Sequence, residues 1–138
     1  MKRVGNLYDD LCSLDNLFLA WKKARRGKSK SVSIARFCYA LEREIFSLHR
    51  ELSEGTYLPG QYRNFRIVDP KPRLISAAPF RDRIMHHAVV NMLEPVFEPT
   101  FIYDSYACRV GKGQHRAVDR YTMFSRKNCY VLKCDVER

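Results

Sequence analysis

The sequence predicts an α+β fold, because stretches of helical period enclose one stretch of strand period. Apolar residues recur every three or four positions on both sides of residues 60–78, which is the spacing of a helix face. Within 60–78 the pattern changes to two short apolar runs separated by Asp69-Pro-Lys-Pro72, a turn sequence. Helices are predicted at residues 13–25, 33–54, 79–95 and 116–125. A hairpin set among helices is typical of α+β proteins.

The first two predicted helices are amphipathic. Ser13 is expected to cap the first helix, whose apolar face includes Leu17 and Trp21. The second is expected to be one continuous helix with the clearest apolar stripe of the chain, and Gly55 should end it. These helices predict a packed core in the N-terminal part.

A basic segment follows the first helix. Six of the nine residues 22–30 are cationic: Lys22, Lys23, Arg25, Arg26, Lys28 and Lys30. The segment is either a solvated linker or a loop that contacts phosphates. The formal net charge of the whole chain, +10, favours the second interpretation, because a surplus of this size is typical of proteins that bind a polyanion.

Charge and composition also restrict the class of partner. Nucleic acid is the first expectation and an acidic membrane surface the second, since no apolar run approaches the roughly 20 residues of a membrane helix. The first ten residues contain no apolar signal-peptide region, so none is expected. Five cysteines without a CxxC pair predict reduced thiols in the core of a cytosolic protein.

The hairpin and the helix after it carry many cations. Lys71 is predicted at the hairpin tip and Arg73 just beyond it. Pro79 is expected to open the next helix, and Pro95 with Pro99 to close it. Six basic residues and two acidic ones lie between positions 63 and 83, a local net charge of +4.

The C-terminal third begins with an irregular aromatic stretch at 101–107, and two features follow it. Gly111-Lys-Gly113 leads into a predicted helix, an arrangement that suits an anion but is a weak signal by itself. Residues 129–135 are predicted to form a strand that ends in Asp135. A carboxylate in this position is either a metal ligand or an ordinary turn residue.

Five segments, taken in order, resemble bacterial reverse transcriptases. Residues 62–88 and 93–98 resemble the first fingers motif, and residues 104–117 are similar to the second. Residues 130–136 look like the start of the third motif, and residues 48–57 with Pro59 resemble the leucine-rich helix and Gly-x-Tyr turn that precede the first. The strings Pro-Lys-Pro-Arg-Leu-Ile-Ser and Tyr-Ala-Cys-Arg make the enzymes of diversity-generating retroelements the nearest type. Group II intron and retron enzymes are near relatives.

The resemblance implies the fingers subdomain and first palm strand of a right-hand polymerase. It divides the chain into a helical region (1–58), the fingers motifs (59–127) and the start of a palm (128–138), truncated after the first catalytic aspartate. The family's Tyr-x-Asp-Asp pair and thumb lie outside these 138 residues, so the chain alone is expected to be catalytically incomplete. A cytoplasmic location in a bacterium or phage system is implied.

The resemblance also assigns roles to individual residues. Asp135 would be catalytic and would bind Mg²⁺ together with the backbone carbonyl of Val136, as one part of a two-metal site. Lys71, Arg73, Arg109 and Val136 would contact the incoming dNTP, although Arg109 would alternatively buttress the pocket or touch the template. The candidates for nucleic-acid binding are the six cations of 22–30, Arg63, Arg81, Arg83 and Lys112. Arg81 and Arg83 have an equally good alternative, a cap or an ion pair with Asp82.

The implied partners are an RNA template, a DNA or RNA primer, dNTP and an accessory protein. Self-association is a further expectation, because a palm sheet that stops after one strand has an unpaired edge. The alternative function is a non-enzymatic, basic RNA-binding module derived from a fingers domain. A partner-docking or membrane-surface domain is the third interpretation of the charge.

Overall fold

The computed structural model describes residues 4–28 and 31–136 and has the predicted mixed α+β composition. Its elements are α1 (Leu7–Cys12), α2 (Leu14–Arg25), α3 (Val32–Tyr39), α4 (Leu41–Ser53), β1 (Arg63–Val68), β2 (Pro72–Ala77), α5 (Phe80–Phe97), a 3₁₀ turn (Glu98–Thr100) and α6 (Gln114–Ser125). The chain forms two compact units, Met1–Val96 and Phe97–Arg138. Each unit is described separately below.

The first unit has a helical core formed by α1 to α5. Helices α1, α2 and α3 each pack against α4, and the start of α5 contributes Phe80, Ile84 and Ala88. The largest fully buried side chains are Leu17, Ile45, Leu48 and Ile84. They come from the apolar stripes of three predicted helices, so the sequence period identified the core correctly.

The start of α2 confirms the predicted cap. Ser13 Oγ accepts a hydrogen bond from the backbone N–H of Asn16 at 3.3 Å. The six-residue helix α1 that precedes it was not predicted. It is too short for its period to be read from sequence, and it is stabilised by packing against α2 and α4.

The predicted helix at 33–54 is two helices. The chain departs from helical geometry at Ala40 (φ −110°, ψ 29°), where α3 ends and α4 begins. A single bend of this kind leaves the apolar side chains on the core side, so the stripe continues across it and conceals the break. Gly55 follows α4 with φ +68°, as predicted for a glycine at a helix end.

A buried polar network joins α2 to α5. Asn16 Nδ2 donates to the carbonyl oxygens of Leu11 at 2.9 Å and Ala88 at 3.3 Å. Asn91 Nδ2 donates to Asn16 Oδ1 at 2.8 Å. The two amides satisfy each other inside the core, which fixes α5 relative to α2 more specifically than apolar packing does.

The hairpin forms as predicted. Strands β1 and β2 are antiparallel, with Phe65 opposite Ile75 and Val68 opposite Pro72, and residues 69–71 make the turn. Every residue of β1 is exposed. Because two strands alone are marginally stable, the hairpin depends on its own cross-strand pairs and on its anchorage to the helical core.

Helix α5 continues through Pro95 to Phe97, so the prediction that Pro95 would end it is wrong. A proline removes one backbone hydrogen bond, and near a C-terminus that loss is small enough for two more residues to remain helical. Pro99 lies in the 3₁₀ turn that follows. The helix therefore ends between the two prolines.

The second unit consists of α6 and irregular segments. The strand predicted at 129–135 is wrong, because these residues have no regular structure. A strand needs a hydrogen-bonded neighbour, and within residues 4–28 and 31–136 the only pairing is that of β1 with β2. Self-association stays a prediction, but the strand edge on which it was based is not present.

The cysteine prediction holds in part. All five thiols are free. Cys12 is buried and Cys38 half-buried, whereas Cys108, Cys129 and Cys134 are exposed. The core assignment is therefore wrong for the last three, which lie in a unit without a packed interior.

Candidate nucleic-acid interface

One face of the hairpin combines cations with apolar side chains. Cross-strand partners share a face, so Arg63, Phe65, Ile67, Ile75 and Arg73 lie together. The Arg63 guanidinium lies 5.5 Å from the centroid of the Phe65 ring, a cation–π contact that leaves both groups exposed. Arg63 and Arg73 are separated by four strand positions, about 13 Å.

The tip and the opposite face add two further cations. Lys71 lies in the turn and is exposed, in agreement with its predicted position. Arg66 lies on the opposite face, across from Leu74, and was not among the sequence candidates. The alternation of strand residues would have identified it, since Arg63 and Arg66 differ by an odd number and must face opposite ways.

A buried carboxylate anchors the base of the hairpin. Asp82, 3% exposed, accepts hydrogen bonds from Tyr57 Oη and from the backbone N–H of Gly60, both at 2.8 Å. A Cβ on Gly60 would lie 2.9 Å from Pro79 Cγ, so a larger residue here would force Pro79 to shift. The contacts tie the segment before β1 to the helix that follows β2.

The phenol in this anchor is strongly perturbed. Burial, and then the hydrogen bond to Asp82, raise the pKa of Tyr57 to about 12. The phenol therefore remains a hydrogen-bond donor throughout the neutral range. The sequence indicated only a Gly-x-Tyr turn here, and the distance of 25 residues between Tyr57 and Asp82 hid their pairing.

Arg81 is committed to the same anchor and does not pair with Asp82. Its Nη2 lies 2.6 Å from Glu51 Oε1 on α4, and its guanidinium lies 5.4 Å from the Tyr57 ring centroid. Arg81 is the main cause of a lowered pKa for Glu51. Arg81 therefore forms an ion pair, as one of the two expectations had it, but with Glu51 instead of Asp82. Its contact with phosphate stays a prediction.

Arg83 is also half-buried. Its guanidinium lies 5.4 Å from the Phe80 ring centroid, and its Nε is buried without a hydrogen-bond partner in residues 4–28 and 31–136. The side chain therefore covers part of the core. Its role in binding nucleic acid stays a prediction.

The end of α2 forms a basic groove. Trp21, Lys22, Arg25, Arg26 and Gly27 line an open depression of about 520 Å³, and the Arg25 guanidinium lies 4.6 Å over the Trp21 ring. Proteins bind single-stranded nucleic acids by stacking the bases on aromatic rings and by placing cations against the phosphates. The solvent-accessible cations of this groove suit a polyanion.

The remaining cations of this segment differ from one another. Lys23 Nζ donates to Asn91 Oδ1 at 2.6 Å, which ties it to α5. Lys28 is exposed, and Lys30 lies outside the described residues. Burial first, and then the charges of Lys28 and Lys23, lower the pKa of His87, so the positive potential of the segment reaches α5.

In the second unit, Arg109 is an organising residue. Its Nε donates to Glu98 Oε1 at 2.9 Å, and its Nη1 donates to the carbonyls of Ile102 at 2.9 Å and Ser105 at 3.1 Å. The side chain is 10% exposed and lies over the Phe101 ring at 5.3 Å. These contacts fit a buttressing role better than a direct contact with phosphate.

The glycine turn at 111–113 has the backbone that its sequence predicts. Gly111 and Gly113 have φ of +71° and +96°, which other residues rarely adopt. Gly113 is the N-cap of α6. Lys112 Nζ, however, donates to the carbonyl of Tyr103 at 2.6 Å, so this cation is held against its own unit.

Asp135 is exposed, and its Oδ1 accepts from the backbone N–H of Val136 at 3.0 Å. Oxygen ligands of this type suit Mg²⁺, but a two-metal site needs several carboxylates. No group of three His, Cys, Asp or Glu residues suited to a metal occurs in the part of the chain that the structure describes. The residues described do not by themselves fit the metal centre, and no catalytic step is assigned to it.

The chain was compared with family models and with curated proteins. Neither a family model nor a curated protein matches it. Among the described helices, none combines the length and apolar character that crossing a bilayer requires.

Proposed function

We propose that the chain is the fingers and early-palm portion of a reverse transcriptase and binds RNA template, primer and incoming dNTP for RNA-templated DNA synthesis. The observation that carries this proposal is the exposed hairpin. It lies within the run that resembles the first fingers motif, and it presents Lys71 and Arg73 free of the contacts that hold Arg81 and Arg109.

The proposed chemistry of the hairpin is recognition of a triphosphate. A dNTP carries several negative charges, and cations placed against it stabilise both the bound nucleotide and the charge that develops during phosphoryl transfer. Because the anchor at Asp82 holds the hairpin base, Lys71 and Arg73 extend from a fixed point. Asp135 and the Val136 carbonyl are proposed as one part of the Mg²⁺ ligand set in the complete enzyme.

The test is primer extension with the polypeptide that the gene encodes. With RNA template, DNA primer, dNTPs and Mg²⁺, we expect incorporation that Asp135→Asn abolishes. Lys71→Gln combined with Arg73→Gln should raise the KM for dNTP at least tenfold. Arg36→Gln combined with Arg43→Gln removes the same charge from α3 and α4 and should leave KM unchanged. Full activity of Asp135→Asn would refute the role of Asp135.

The alternative is an RNA-binding module without polymerase chemistry. The groove beside Trp21 supports it, because that surface can hold RNA whether or not nucleotides are incorporated. It predicts salt-sensitive RNA binding and no incorporation by the encoded polypeptide. Incorporation that depends on Asp135 would exclude it.

A further inference from the structure

The second unit contains an aromatic and cationic pocket that the proposed dNTP contacts do not use. It has a volume of about 270 Å³ and is lined by Tyr103, Tyr106, Lys112, Arg116, Asp119, Arg120 and Met123. That is close to the lower end of the roughly 300–1,000 Å³ range of small-ligand pockets. The size suits one ring system rather than an extended ligand.

The two tyrosine rings are held in place by charged neighbours. Lys112 Nζ lies 3.8 Å from the Tyr103 ring centroid and 5.0 Å from that of Tyr106. Tyr106 Oη donates to Asp104 Oδ1 at 3.0 Å. Tyr103 nevertheless remains 72% exposed. The pocket therefore has an aromatic wall that is oriented before a ligand arrives.

The charges of the pocket favour an anion. Arg120 is bound in a two-pronged contact to Asp104, with Nε to Oδ1 at 2.8 Å and Nη2 to Oδ2 at 3.2 Å. The pair neutralises the carboxylate, and Arg120 is the main cause of the lowered pKa of Asp104. Lys112 and Arg116 then line the pocket with one further acid, Asp119.

We propose that this pocket binds one unpaired nucleotide of an RNA strand. The base stacks against Tyr103 and Tyr106, and the adjoining phosphate lies against Arg116. A duplex cannot supply this ligand, because its bases are stacked on each other and present only their edges in the grooves. The inference rests on the proposed function for the identity of the strand, and it adds a contact to bases in a second part of the chain.

The test separates base stacking from charge. Fluorescence anisotropy measures the affinity of the full chain for a short unstructured RNA and for an abasic strand with the same phosphates. Tyr103→Leu combined with Tyr106→Leu removes both rings, and Tyr103→Phe combined with Tyr106→Phe is the matched control that keeps them. We expect the leucine variant to bind RNA at least about fivefold more weakly and to bind the abasic strand unchanged. The phenylalanine variant should match the wild type on both strands.

Other outcomes overturn the inference. Unchanged RNA affinity of the leucine variant, or an equal loss on both strands, shows that the rings do not stack on bases. If circular dichroism shows that the double variant is misfolded, Tyr103→Leu alone decides, since that side chain is largely exposed. A wild-type chain that binds no RNA defeats the proposed function and the inference together. If the wild type binds RNA and the leucine variant binds it with the same affinity, only the inference is defeated.

Discussion

The two units of the chain are stabilised in different ways. The first contains a core of twelve buried apolar or cysteine side chains. In residues 97–136 of the second no residue is buried, and its side-chain contacts include the ion pairs of Arg109 with Glu98 and of Arg120 with Asp104. Partly exposed ion pairs contribute little compared with burial, so substitutions in the two units should have different consequences.

The largest expected difference is in the response to cavity formation. Leu48→Ala removes a fully buried side chain and should lower the free energy of unfolding by about 2–5 kcal/mol. Val118→Ala removes a side chain of α6 that is 56% exposed and should cost less than about 0.5 kcal/mol. Urea denaturation followed by circular dichroism measures both. Equal losses of unfolding free energy in the two variants would contradict the proposed difference between the two units.

Arg109→Gln tests whether charge holds the second unit together. It removes hydrogen bonds from a cation to one carboxylate and two carbonyls, and charge-assisted hydrogen bonds are stronger than neutral ones. We expect amide hydrogen exchange of residues 101–113 to accelerate at least tenfold, with Arg43→Gln as the control. Unchanged exchange would show that other contacts order this segment.

Asn16→Ala tests the polar network of the first unit. The substitution leaves Asn91 Nδ2 without its acceptor and removes the side-chain donor to the carbonyls of Leu11 and Ala88. An unsatisfied buried polar group costs about 1–3 kcal/mol. Thermal or urea unfolding measures the loss. A neutral result would mean that α5 is fixed by apolar packing alone.

The smallest effect concerns the ion pair at the hairpin base and depends on pH. Arg81 is the main cause of the lowered pKa of Glu51, so the pair stabilises the fold above the ordinary carboxyl pKa of 4.5 and loses this contribution as pH falls through the lowered pKa. Glu51→Gln should cost about 1 kcal/mol at pH 7. The difference in unfolding free energy between the variant and the wild type should become smaller as pH falls below 4.5. A difference that stays constant with pH would show that the ion pair is not its cause.

Local signals in the sequence predicted much of the fold. The period of the helices identified Leu17, Ile45 and Leu48 as core residues, and Asp-Pro-Lys-Pro identified the hairpin turn. The failures involve relations between distant residues. Whether residues 129–135 form a strand depends on a partner strand, which no local pattern specifies.

The same distinction between local signals and distant contacts applies to the residues of the candidate site. The sequence placed Lys71 and Arg73 on an accessible hairpin, because exposure follows from the turn and strand pattern. It could not separate them from Arg81 and Arg109, whose partners Glu51 and Glu98 are 30 and 11 residues away. Side-chain partners at such distances become visible only in the folded chain.

Both candidate functions require that the chain binds RNA through exposed cations, and the groove beside Trp21 is the surface proposed for this contact. The salt dependence of RNA affinity tests that proposal most directly. The test variant carries Lys22→Gln, Arg26→Gln and Lys28→Gln, and the control carries Arg36→Gln, Arg43→Gln and Arg50→Gln. Both lose three charges from exposed positions of the first unit.

We expect the test variant to lose affinity and its plot of log affinity against log salt to flatten by about two units, since each phosphate contact to a single strand contributes about 0.7. The control should keep nearly the wild-type slope, and both should unfold like the wild type. Equal slopes in the two variants would contradict the claim, because the groove beside Trp21 would then not be where RNA binds.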